Sequence, residues 1–129
     1  MITASNPARA YQQNAAFGAS PVELVVLLYD AALRSLHRAA KAIDAGDIEK
    51  RTAALNHVLE VAAELQAALN FERGGEVAQN LNGFYSAVQK QVLEAGVRNS
   101  RPGLEALISQ FASLRDAWAE VGRPKPAAM

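Results

Sequence analysis

SPVELVVLLYDAALRSLHRAAKAIDAGD, residues 20–47, opens with helix-start signals and closes with a helix stop. Ser20 suits an N-cap, Pro21 the first helical position and Glu23 the partner position of a capping box. Gly46 ends the segment, and Asp47 is placed to cap the next one. Between them Val25, Leu28, Ala32, Leu36, Ala39 and Ile43 recur at steps of three and four, which predicts an amphipathic helix facing a core. The pattern has a surplus. Leu24, Leu27 and Ala31 form a second apolar row beside the first, and Leu24 to Tyr29 is one unbroken apolar run. The combined stripe is wider than a bundle helix ordinarily needs. The extra row calls for a cover: the N-terminal tail, a second copy of the chain, a partner peptide, or burial of the helix at the centre of the fold.

Working outward, the remaining chain repeats the theme. Leu55, Val58, Ala62, Leu65 and Leu69 make one stripe, with Glu60 and Glu64 opposite and a break expected at Gly74-Gly75. Val77, Leu81, Phe84, Val88, Val92 and Ala95 make a third, with a stop expected at Gly96 and a mild penalty from Gly83 inside it. Asn99, Ser100, Pro102 and Gly103 form a turn. Leu104, Leu107, Ile108, Phe111, Leu114, Trp118 and Val121 follow, ending at Gly122 and Pro124. Nothing alternates with period two over a useful length. Four helices of roughly 20 to 25 residues, each about 30 to 37 Å long, match in length. Short connections make neighbours antiparallel, so the expected fold is all-α, an up-down-up-down four-helix bundle. Residues 17–122 are assigned to it, with a mobile N-terminal segment at 1–16 and a flexible tail at 123–129.

The totals agree. The 129 residues suit one domain; 50% are hydrophobic and 20% charged, as in a globular chain. Thirteen basic residues balance thirteen acidic ones, which leaves no overall electrostatic footprint for nucleic acid or an anionic membrane, though the fold could still gather a small basic patch. There is no cysteine for a disulfide or a thiolate metal site. The first residues do not read as a secretory signal, and no apolar run approaches the ~18 residues of a membrane span. A soluble cytoplasmic protein is the expectation.

No catalytic constellation emerges, so no enzyme activity, cofactor or metal is expected. His37 is followed by Lys41 and His57 by Glu60. A bundle di-metal site needs Glu-x-x-His on two helices, and His57 to Glu60 runs in reverse order and occurs once. His37 near Lys41 suggests a phosphotransfer domain, but the spacing is four and no Gly follows. Gly74-Gly75 lacks the Lys-Ser/Thr and the preceding strand of a phosphate loop. Phe84, Tyr85 and Trp118 read as core aromatics.

The motifs do have a collective likeness. Ala10-Tyr11-Gln12-Gln13-Asn14, Ala19-Ser20-Pro21, Glu23-Leu24-Val25 and Leu28-Tyr29-Asp30-Ala31-Ala32 resemble the N-terminal signature of the FliS family of flagellar secretion chaperones. Gly46-Asp47, Glu64-Leu65, Leu69-Asn70, Gly74 to Leu81 with Tyr85, and Leu114-Arg115-Asp116-Ala117-Trp118 resemble its later elements in order. Gly18 and Ala31 depart from it, where Thr and Gly are common. The resemblance implies a cytoplasmic chaperone that binds the C-terminal segment of flagellin, prevents premature polymerisation and helps deliver the client to the flagellar type III secretion apparatus, with its gate component FlhA as a further partner. Tyr11, Leu24, Leu27, Leu28, Leu55 and Leu59 are the candidate client-binding residues, with Tyr11 and the tail as a reversible cover. A homodimer without client and a histidine phosphotransfer-like or self-associating adaptor are the alternatives.

Overall fold

The structure is a computed structural model that describes residues 21–122; the Ser20 cap, Tyr11 and the segments 1–16 and 123–129 lie outside the described residues. Four helices follow one another among them: α1 (Pro21–Ala45), α2 (Ile48–Ala67), α3 (Phe71–Arg98) and α4 (Arg101–Gly122). Side-chain pairs fix their directions. Arg115 meets Asp30 at 2.9 Å while Arg101 meets Asp44 at 3.2 Å, so α4 runs against α1. Arg51 bonds Asn99 while Gln66 bonds Asn82 and Ser86, so α3 runs against α2. α1 packs between α2 and α4, α2 packs on α3, and a thin α3–α4 seam closes the ring. This is the expected antiparallel four-helix bundle.

The turns explain where the helices stop. Gly46 takes φ +69°, a left-handed conformation that costs glycine little. Its N–H bonds the Ile43 carbonyl and that of Asp47 the Ala42 carbonyl, the paired bonds of a Schellman end. The Asp47 side chain then accepts from the Lys50 N–H at 3.0 Å and starts α2. At the far end of α3, Asn99 does the work expected of Gly96. It adopts φ 55°, which asparagine tolerates, and the Ser100 N–H closes on the Ala95 carbonyl. Gly96 stays helical and lets two helices approach: a Cβ there would lie 3.3 Å from Leu55 Cδ1. Ser100 Oγ accepts from the Gly103 N–H at 3.0 Å, capping α4.

The core runs along the bundle axis. α1 contributes Val25, Tyr29, Ala32, Leu36 and Ala39; α2 contributes Leu55, Val58, Ala62 and Leu65; α4 contributes Leu104, Leu107 and Phe111. On α3 the buried residues are Ala78, Tyr85, Val88, Val92 and Ala95. The stripe expected there began one residue early, on Val77, which is exposed. Alanine at 78 fits the 3-4 spacing of the later positions but is a weaker apolar signal than the valine beside it. Tyr29, Phe84, Tyr85 and Phe111 form an aromatic cluster with centroids 5.4 to 6.4 Å apart in tilted and edge-on pairs. Gly83 lies inside α3 with nothing within 4 Å of where a Cβ would stand. Gly83→Ala is therefore expected to raise stability by about 0.5–1 kcal/mol, read as a higher urea midpoint at unchanged slope.

Candidate functional site

The surface in question lies at the end of the bundle where α1 and α3 begin and α2 and α4 finish. Its geometry comes from the segment between α2 and α3. α2 ends earlier than its stripe suggests, at Ala67, and Leu69 lies in the connection. Asn70 caps α3 by accepting from the Arg73 N–H at 3.0 Å. The expected break at Gly74-Gly75 is present as a sharp kink at Gly75, which separates a short first turn of α3 from the long helix after it. Gly75 has φ 49° and ψ −124°, outside the helical region, so the first turn of α3 points away from the rest. At Gly74 a Cβ would come within 2.8 Å of Ala78 Cβ, so the kinked turn sits tightly on the next one.

The kink opens an apolar hollow of about 330 Å³. Val22 and Val25 line it from α1, Leu65 and Leu69 from α2 and its connection, Val77 and Leu81 from α3, and Trp118 from α4, with Arg73 and Asn70 as polar lining. Beneath it the buried Tyr85 hydroxyl lies 2.7 Å from that of Tyr29. The Trp118 indole lies beside this pair, so three aromatic side chains gather below an apolar surface. Burial pushes the Tyr29 hydroxyl pKa up, against the lowering effect of Tyr85 and Trp118 beside it.

A second hollow, of about 410 Å³, lies across α1, between it and α4. Val22, Val26 and Leu27 line it opposite Ala119 and Gly122, and the Asp30–Arg115 ion pair borders it. Val22 touches both hollows, so the first two turns of α1 form an apolar ridge with a depression on each side. Gly122 allows this close seat of α4, since a Cβ there would meet Val22 Cγ1 at 2.8 Å.

The candidate residues divide along this surface. Leu27 is 53% exposed and lines the second hollow. Leu28 and Leu59 are half-buried and packed on the core. Leu24 is buried, apart from the continuous core that Val25 and Tyr29 join, and Leu55 is a core residue beneath Gly96. Val22, Val77 and Trp118 were absent from the candidates because each reads as part of a cap or a stripe. The signal that could have found them is Asn70 followed by the glycine pair, a cap and a kink that expose one turn. Phe71 and Val77, exposed on either side of the kink, extend the apolar surface.

Such a surface can bind apolar side chains. His37 is exposed, and His57 Nδ1 lies 2.6 Å from Ser35 Oγ. Among the described residues no three His, Cys, Asp or Glu side chains gather where a metal could sit, and no helix is long and apolar enough to cross a membrane.

The chain matches the family model described as flagellar protein FliS over residues 4–125. It is 32% identical to the flagellar secretion chaperone FliS of Salmonella typhimurium over 126 residues, covering 94% of this chain and 93% of the relative. It is 36% identical to the chaperone of the same name from Campylobacter jejuni over 87% of this chain and 88% of the relative. The Bacillus subtilis chaperone is 30% identical over 89% and 85%.

Proposed function

Because the chain belongs to the FliS family of flagellar secretion chaperones, we propose that its client is flagellin, held by its C-terminal segment. The family is one of chaperones and not of enzymes, and a chaperone for flagellar export implies a client protein. In our reading the protein works in the cytoplasm, masks the polymerising segment of flagellin and brings it to the export apparatus through the gate component FlhA. A homodimer formed without client, each copy covering the other's ridge, belongs to the same reading.

The observation that carries the proposal is the apolar ridge of α1 with a hollow on each side. An amphipathic client helix lays its apolar face into such a depression, and a segment unfolded in solution can occupy both by wrapping around the ridge. Each Leu or Val side chain removed from water contributes about 1.5–3 kcal/mol before the ordering cost of the client. Binding needs no nucleotide, because masking rather than remodelling keeps the client competent. Tyr11 and the N-terminal stretch, attached next to Pro21 of the first hollow, compete with the client for this surface in the same reading.

Trp118, the single tryptophan of the chain, lines the first hollow and reports its occupancy. Adding the C-terminal flagellin peptide is expected to shift its emission to shorter wavelength, saturating at one peptide per chain. Emission unchanged while the peptide binds would place the client elsewhere.

A further inference from the structure

A broad depression among the described residues lies away from the apolar ridge, between α1 and α2, with a volume of about 600 Å³. Alanines of both helices line it, so the two backbones leave a trough. Around it stand Arg38 and Lys41 from α1 and Lys50 from α2, with His57 further along. A single carboxylate, Asp47, shares the lining, and it is already engaged as the cap of α2, with Lys50 Nζ only loosely held at 4.0 Å. Arg38 and Lys41 have no ion pair or hydrogen bond among the described residues. The chain as a whole carries no net charge. The excess of positive charge is therefore local, and the trough is a cationic site on a neutral protein.

His57 is held in place rather than loose. Its Nδ1 lies 2.6 Å from the hydroxyl of Ser35, the buried polar residue of α1, which leaves the other ring nitrogen to meet a ligand. We propose that this trough docks an acidic peptide segment of a partner protein, with its carboxylates between Arg38, Lys41 and Lys50. A recessed site between two helices admits side chains of a peptide, whereas a flat bilayer reaches only its rim. A nucleic acid, with one charge per ~1.7 Å of duplex, calls for a longer run of cations than three. No residue of the trough lines either hollow beside the α1 ridge, so a client bound there leaves it open. The inference accordingly stands apart from the flagellin reading.

The test uses the full chain and a fluorescein-labelled helical peptide carrying Glu at every fourth position, with its Gln counterpart as control, read by anisotropy at low salt. The Glu peptide is expected to bind and the Gln peptide to bind at least about fivefold more weakly. The double substitution Arg38→Gln, Lys41→Gln is expected to weaken the Glu peptide by about fivefold or more. Raising the salt should abolish the difference, since exposed charges are screened. Lys90→Gln, on the exposed face of α3, should change nothing, and far-ultraviolet circular dichroism should show all variants equally helical. Equal binding of the two peptides, or no loss in the double variant, overturns the proposal. Binding to phosphatidylglycerol vesicles that the double variant loses, with no binding of the Glu peptide, overturns it in favour of a membrane surface.

Discussion

Phe111→Ala is expected to lower the free energy of unfolding by about 3–5 kcal/mol, the largest single effect we foresee on stability. Phe111 is fully buried, and its ring centroid lies 5.4 Å from that of Tyr29 and 5.9 Å from that of Phe84. It joins α4 to α1 and α3 at once. Truncation removes the transfer energy of a phenyl ring and leaves a cavity that its two aromatic neighbours, held on different helices, cannot both collapse to fill. A small domain has only about 5–15 kcal/mol to lose. The α3–α4 seam is the thinnest in the bundle, so it has little else to hold it. Urea denaturation followed by circular dichroism measures the loss; a change below about 1 kcal/mol would mean that the cluster does not hold α3 and α4 together as described.

The second large effect concerns binding. Leu27→Asp and Val77→Asp are each expected to weaken the complex with the C-terminal flagellin segment roughly ten- to a hundredfold, because each replaces an apolar contact of about 1.5–3 kcal/mol by a charge. The side chains are 53% and 65% exposed, so the isolated protein should keep its helicity and melting behaviour. Leu24→Asp provides the contrast. Leu24 is 7% exposed, and a carboxylate there should destabilise the fold itself. Isothermal titration together with thermal melts separates the cases. A Leu27→Asp protein that binds normally would remove the second hollow from the account; one that unfolds would make Leu27 a core residue.

Much of the fold was legible because bundle helices announce themselves by period and punctuation. Asp47 could be named as a cap, and Gly46 as a stop, since both act through local backbone bonds. Two boundaries were not legible for a related reason. Asn99 supplies a left-handed end that glycine usually supplies, so the preceding Gly96 looked like the stop when its role is to let α3 approach Leu55. Gly74-Gly75 does break the helical path, yet α2 ends earlier, because Asn70 caps an extra turn ahead of the glycine pair. The surface was harder to read than the core. An apolar row on α1 shows that there is more to bury than one face allows, but the row itself divides: Leu24 turns inward and Leu27 outward. Which side chain does which depends on where α4 sits, and Gly122 against Val22 is a contact of residues a hundred positions apart. The basic trough is likewise a property of pairing, since Arg38 and Lys41 meet Lys50 only across the first turn.

The most direct test of the central claim is the stoichiometry of the complex with the cognate flagellin. Size-exclusion chromatography with light scattering should show one chaperone per intact flagellin monomer, and no complex with flagellin lacking its C-terminal segment. An equally stable complex with the truncated flagellin, or none with the intact one, would contradict the account.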